Sequence, residues 1–222
     1  KYRTLFEEAF SENHLILFGS NTTYEVANNN KIFNSLIIVN NKFDIIFQYN
    51  KNKLVPFGEF LPFEIFLSKF GLKKITEGYG SFSRGVTNDV FTLGNSKILP
   101  LICYEIIFPE LSQTTANLII NISEDAWFGD TIGPDQHFAK AIFRAIENNV
   151  YLARSANKGF SAFIDNKGIV KKILKPNEVG VIEFNVPIIN NPSKKYKIDL
   201  IFFVLLFTCV FTFTIFKKNE KK

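Results

Sequence analysis

The stretch Ile98-Leu99-Pro100-Leu101-Ile102-Cys103-Tyr104-Glu105 decides how this chain is read. Its apolar run, broken by Pro100 and closed by the polar Tyr104-Glu105 pair, fits a short buried strand better than a helix. Such a strand delivers one cysteine to its end, with a carboxylate two residues beyond. A strand end that runs into a loop or helix start suits a nucleophile. Helix dipoles and neighbouring cations lower the pKa of a thiol, and the thiolate is the reactive species. An isolated cysteine in that place is ordinarily core filling, because free cysteine is among the most buried residue types. Its partners elsewhere in the chain decide between the two.

Working outward toward the C-terminus, residues 118–123 read as another buried strand. It runs into Glu124-Asp125-Ala126-Trp127-Phe128-Gly129, which holds the only tryptophan. Residues 137–149 have helical periodicity, with Phe138, Ile142 and Ala145 on one face. Strands are expected at 151–156, 161–165, 169–173 and 180–185, with Asn166-Lys167-Gly168 as a hairpin turn. Toward the N-terminus, residues 2–13 read as an amphipathic helix presenting Leu5, Phe6, Ala9 and Phe10. A strand is expected at 14–20, a polar surface loop at 21–31, and a hairpin from 32–39 and 44–48 around Asn40-Asn41. The prolines and glycine within residues 49–62 forbid a regular helix or central strand, so an ordered loop is expected there. A short apolar helix at 63–70 and a loop-rich stretch at 71–94 complete the pattern. Strands interleaved with helices, plus hairpins, indicate an α/β layered domain with a mixed sheet.

A chain of 222 residues can bury one sizeable core, and an apolar content of 46% argues against disorder. The formal charge of +5 and pI of about 9.1 admit nucleic-acid or membrane-surface readings. The lysines are scattered, however, and their densest cluster flanks an apolar C-terminal run, which favours the membrane and excludes nucleic acid. The two cysteines, Cys103 and Cys209, make no disulfide framework. The two histidines, His14 and His137, form no Cys/His cluster, so neither a metal nor a cofactor is expected.

Residues 187–193 form a proline-containing linker, and residues 194–197 a basic juxtamembrane segment. Residues 200–216 are apolar apart from three threonines. As a helix they would extend about 25 Å at about 1.5 Å per residue, near the ~30 Å hydrocarbon core. The expected organisation is therefore an incomplete α/β domain over 1–193, a transmembrane helix over 198–216 and a basic tail over 217–222. The chain starts at Lys1 and contains no methionine, so it is expected to be a fragment, a processed product or a shortened reading frame.

A thiol, a lysine and carboxylates are the parts that acyl transfer through a thioester needs. The thiolate attacks a carbonyl, the ammonium stabilises the oxyanion, and a glutamate shuttles the proton. The chain carries these parts within recognisable words: Tyr49-Asn50-Lys51-Asn52-Lys53-Leu54-Val55-Pro56-Phe57-Gly58-Glu59, Ser81-Phe82-Ser83-Arg84-Gly85, Ile102-Cys103-Tyr104-Glu105 and Asp125-Ala126-Trp127-Phe128-Gly129. Gly133-Pro134, Gln136-His137-Phe138 and Arg144-Ala145 continue them in order. Together these words resemble the nitrilase superfamily and, within it, the apolipoprotein N-acyltransferase family.

The resemblance implies an α-β-β-α sandwich on the periplasmic side of a bacterial inner membrane. It implies transfer of an acyl chain from a phospholipid to an enzyme cysteine, and then to the amino group of a diacylglyceryl-cysteine apolipoprotein. On these words Cys103 is the nucleophile and Lys51 the oxyanion-stabilising lysine. Glu59 is a carboxylate of the site loop, while Tyr104 and Glu105 flank the nucleophile. Phe57, Phe60 and Trp127 are candidates for lipid contact or a lid.

Two departures accompany the resemblance. The family's general-base glutamate and its multi-helix membrane region match nothing in this chain, so the chain by itself is expected to be inactive. Glu124 also stands where the family pattern has an amide. Two other readings are a membrane-tethered amidase of the same superfamily and a non-catalytic remnant.

Overall fold

The computed structural model describes residues 2–26, 29–63, 81–86, 89–112, 115–189 and 198–219. They fall into two compact units, Lys1–Pro192 and Ser193–Lys222. The first unit contains two sheets. Strands β1 (Ile16–Val26), β2 (Asn29–Val39) and β3 (Ile45–Asn50) form an antiparallel sheet in that order. The second sheet runs β4 (Phe91–Leu93), β5 (Ser96–Ile102), β6 (Leu118–Glu124), β7 (Tyr151–Asn157), β8 (Ser161–Ile164) and β9 (Val170–Leu174). Its central strands β5, β6 and β7 are parallel, and the remaining pairings are antiparallel. Helix α1 covers Tyr2–Ala9 and helix α2 covers Gly133–Asn148.

Side chains alternate across a strand, so β5 sorts its apolar run onto two faces. Leu99 and Leu101 pack with Ile119, Leu152 and the α2 residues Phe138, Ala141 and Ala145. Ile98 and Ile102 face the other way, with Ile120 and Ile122, against Leu36, Ile38 and Tyr49 of the three-stranded sheet. The result is a helix layer, a six-stranded sheet and a second sheet. A strand covered on both faces must be apolar throughout, and this is why the opening stretch shows no polar alternation. Each fully buried Leu or Ile contributes about 1.5–3 kcal/mol through removal from water. The crossover from β6 to β7 runs through α2, which starts with Pro134 in its first turn and ends at Asn149 in the left-handed conformation.

Four elements differ from the sequence reading. Residues 21–26 and 29–31 are not a surface loop: they extend β1 and β2 as a ribbon, with Thr22 opposite Phe33 and Tyr24 opposite Lys31. The third strand pairs only along Ser35–Val39; beyond it loop backbone meets β2, Lys51 N donating to Asn34 O and Ser83 N to Ile32 O, and the ribbon carries polar residues that resemble a loop. Residues 180–185 form no strand. Phe184 is held by ring contacts, to Phe163 at 5.5 Å and Tyr151 at 6.1 Å, rather than by a backbone ladder. Helix α1 stops at Ala9, short of residue 13, where Ser11 Oγ and its backbone N–H turn onto His14 Nδ1. Residues 91–93 are a strand rather than loop. The helix expected over 63–70 falls, from residue 64, outside the described residues.

The second unit holds helix α3, Ile198–Asn219, with Phe202, Leu205, Phe207 and Phe211 exposed. Among the described residues no helix is long and apolar enough to cross a membrane. What is shown is an exposed apolar helix, and the transmembrane span expected over 198–216 is not shown.

Candidate active site

Strand β5 ends at Ile102, and Cys103 opens the 3₁₀ turn Cys103–Ile107. Its φ of +49° is left-handed, a conformation that costs a residue with a β-carbon about 1–2 kcal/mol. Strain of this kind persists only where the surroundings fix it. Here side chains grip the backbone on both sides of the cysteine.

On the side of the second sheet the grip is Glu105, which is fully buried. Its Oε2 accepts from Ile102 N at 2.8 Å. Its Oε1 accepts from Asn52 N at 2.6 Å, Lys53 N at 3.1 Å and the Tyr49 hydroxyl at 3.0 Å. One carboxylate thus ties the residue before Cys103 to the residues after Lys51. Burial pushes the Glu105 carboxyl above its ordinary range, although the three backbone N–H groups and the Lys51 charge oppose the shift. Burial, and then the Glu105 charge, push the Tyr49 phenol up as well.

The Lys51 side chain is only 1% exposed, and its Nζ donates to both oxygens of Glu59, at 2.9 and 2.8 Å. Those oxygens also accept from Asn34 Nδ2 and Val55 N, each at 2.8 Å. Neither carboxylate beside the lysine loop therefore stands free. The loop is closed by Gly85 N, which donates to Lys51 O at 2.8 Å. A β-carbon at Gly85 would collide with the Asn50 carbonyl, so only glycine permits this approach.

On the helix side lies a second cluster. The Asp125 carboxylate, fully buried, meets His137 Nδ1 at 2.9 Å, Arg154 at 2.7 Å and the Ser123 hydroxyl at 2.6 Å. Burial alone would raise its pKa, but the His137 hydrogen bond, the Arg154 charge and Ser123 together hold it at about 2. Burial lowers the Arg154 guanidinium, opposed by the charges of Asp125 and Cys103. His137 Nε2 lies 3.1 Å from the carbonyl oxygen of Cys103 itself.

The structure brings Cys103, Lys51, Glu59 and Glu105 to this strand end through the bonds above. Tyr104 stacks edge-on against Phe108 at 4.9 Å instead of joining them. Lys53 turns away over Phe108 and toward Glu110 at 3.4 Å. Phe60 is half-buried beneath the Arg84 guanidinium, 5.2 Å above its ring, whereas Phe57 and Trp127 stand in solvent at 45% and 65% exposure. Glu124 lies at the surface, where Asn157 Nδ2 donates to both its oxygens. Sequence reasoning quoted Asp125 and His137 without a role and passed over Asn121 and Arg154 entirely. Their signal was a histidine and an aspartate inside the resembling words, in a chain with only two histidines. Among the described residues no group of three or more His, Cys, Asp or Glu side chains could hold a metal ion.

Two packed sheets under a helix layer, with a left-handed cysteine at a parallel strand end and a buried lysine–glutamate pair, define an α/β sandwich of the nitrilase type. The chain belongs to the carbon-nitrogen hydrolase family, whose model matches residues 3–188. It is 44% identical over 155 residues to a protein named apolipoprotein N-acyltransferase from Allorhizobium ampelinum, covering 68% of this chain and 29% of that protein. It is 38% identical over 191 residues to one of the same name from Brucella melitensis, covering 83% and 36% respectively. The chain therefore spans about a third of the length of these relatives.

Solved structures agree on the fold. A Saccharomyces cerevisiae protein of branch 10 of the nitrilase superfamily matches with a TM-score of 0.53 and 22% identity, over 72% of this chain and 56% of that one. A Nesterenkonia amidase of the same superfamily matches at 0.55 and 17%, over 79% and 62%.

Proposed function

We propose that this chain is the cysteine-bearing part of an N-acyltransferase that moves an acyl chain from a phospholipid to the N-terminal amine of a diacylglyceryl-cysteine lipoprotein. The observation that carries this reading is the left-handed Cys103, tied through Glu105 to the loop of the buried Lys51. In the reading the Cys103 thiolate attacks the ester carbonyl of the phospholipid. Lys51, aimed by Glu59, stabilises the oxyanion, and collapse expels the lysophospholipid and leaves a thioester. The lipoprotein amine then attacks the thioester and regenerates the thiol. The proton-shuttling base is not assigned to Glu59 or Glu105, whose oxygens are already engaged by donors.

A lipid donor is favoured over a small amide by the loops around the site. Glu59 and Asp125 anchor two segments whose neighbouring aromatic residues, Phe57, Phe63 and Trp127, point into solvent. Aromatic residues in such places suit contact with an acyl chain or a bilayer surface. Helix α3, with its exposed apolar residues, is read as the membrane attachment, with the first unit on the periplasmic side of a bacterial inner membrane.

The test is transfer of a labelled chain from phosphatidylethanolamine vesicles to a synthetic diacylglyceryl-cysteine peptide with a free N-terminus by a full-length protein that carries this chain, since the 222 residues alone are expected to be inactive. Labelled triacylated peptide is the expected product. Ammonia release from small amides, with no labelled peptide formed, would instead establish the membrane-tethered amidase.

A further inference from the structure

The nucleophile's backbone is enclosed by a ring of side chains that the proposed reaction does not use. Asn121 Nδ2 donates to Leu101 O at 2.9 Å, and Asn121 Oδ1 accepts from Arg154. Arg154 donates to Asp125 Oδ2 at 2.7 Å, Asp125 Oδ1 meets His137 Nδ1 at 2.9 Å, and His137 Nε2 meets Cys103 O at 3.1 Å. The ring therefore leaves the chain at Leu101 and returns to it at Cys103, with Ile102 between them. Every side chain in it is at least nine-tenths buried. Close approach is built in: a β-carbon on Gly159 would overlap the Asp125 carboxylate.

A carbonyl oxygen can only accept, so His137 carries a proton on Nε2 and donates it to Cys103 O. We infer that His137, oriented by Asp125 and Arg154, is a positioning residue that holds the Cys103 carbonyl and so keeps the thiol in the left-handed conformation that aims it for attack. This rests on the assignment of Cys103 as nucleophile. A left-handed residue has no hydrogen-bonding reason of its own to stay there. Glu105 fixes the Ile102 N–H before it, and among the described residues His137 is the one side chain seen on the Cys103 carbonyl, beside the backbone bonding of the 3₁₀ turn. With that bond lost, the Cys103 carbonyl keeps only the single 3₁₀ turn as its hold, and relaxation of φ away from the left-handed region swings the β-carbon and the sulfur. Misplacement of a reacting atom by about 1 Å lowers rates by roughly 10²-fold.

Two substitutions separate positioning from packing. In His137→Asn the amide takes the place of Nδ1, keeping Asp125 but not reaching Cys103. In His137→Gln the amide takes the place of Nε2 and reaches the Cys103 carbonyl. The readout is the alkylation rate of Cys103 by iodoacetamide in the full chain, followed by mass spectrometry. Added glutathione serves as the reference thiol within each sample.

His137→Asn is expected to slow Cys103 alkylation by roughly 10²-fold, with the glutathione reference unchanged, and His137→Gln to restore most of the rate. In acyl transfer the same pattern is expected in kcat, with KM unaltered. Equal rates in both variants, whether fast or slow, would overturn the inference. If His137→Asn fails to fold, Ser123→Ala loosens Asp125 more gently; a several-fold slower Cys103 is expected, and an unchanged rate would overturn the inference as well. Alkylation needs no acyl donor. A full-length protein carrying this chain that alkylates as expected but transfers no chain refutes the acyltransferase reading and leaves the positioning role standing.

Discussion

Cys103 is held from two sides by buried carboxylates of opposite character. Glu105, toward the second sheet, accepts from three backbone N–H groups and a phenol, and burial leaves its carboxyl raised. Asp125, toward the helix, contacts a guanidinium, an imidazole and a hydroxyl, and is depressed to about 2. Neutral donors satisfy the geometry of a buried carboxylate without offsetting all of its desolvation, whereas a buried cation does offset it. The sheet side is therefore a backbone tie that fixes where the Lys51 loop sits. The helix side is an ionic assembly whose removal has a large energetic consequence.

The largest difference between the two sides should appear on cutting the ionic one. Arg154→Met leaves Asp125 buried without its cation, and a denaturant melt should show a loss of about 3–5 kcal/mol. A loss below about 1 kcal/mol would mean that His137 and Ser123 suffice for Asp125 and that the contrast is overstated. On the sheet side, Lys51→Met should lower acyl-transfer turnover by about 10²–10³, the usual consequence of losing one oxyanion donor. Lys53→Met, whose ammonium turns toward Glu110, should leave turnover unchanged. Similar kinetics for the two lysine variants would remove Lys51 from the site.

Acid titration sharpens the contrast with a smaller effect. The Asp125 carboxyl is lowered in the fold, so its contribution is complete above an ordinary carboxylate pKa. It is lost as pH falls from about 4 toward 2, and amounts to roughly 2 kcal/mol. Glu105 has the opposite sign. Its raised carboxyl favours the fold at low pH, and the benefit fades as pH rises through its folded value. Asp125→Asn should flatten the acid limb of a stability–pH profile, and Glu105→Gln should flatten the limb above it. Identical profiles for the two variants would contradict the opposed shifts. The smallest effect is expected at Glu124→Gln, which keeps an acceptor for the exposed Asn157 contact and should change stability by less than about 0.5 kcal/mol.

The two sides also differ in how far the sequence revealed them. Lys51, Glu59 and the Cys103-Tyr104-Glu105 turn lie within short words, and the two-faced apolar run of β5 is visible from its composition. The His137 cluster draws one residue from α2, one from β7 and the others from β6 and the turn after it. No local spacing announces that assembly; the parallel register Asn121↔Arg154 creates it. The β1–β2 ribbon was hidden for a different reason. A two-stranded extension beyond its sheet carries the polar composition of a loop, so alternation gives no signal. Residues 180–185 misled in the other direction: their apolar spacing serves ring contacts of Phe184 rather than a ladder.

The most direct test of the central claim, that Cys103 carries the acyl chain, is mass spectrometry of an intact full-length protein carrying this chain after incubation with phosphatidylethanolamine vesicles and no acceptor. The account expects one acyl chain per protein, mapped to Cys103, released by neutral hydroxylamine and absent from Cys103→Ser. An adduct of the same mass and yield on Cys103→Ser, mapped to another residue, would contradict it.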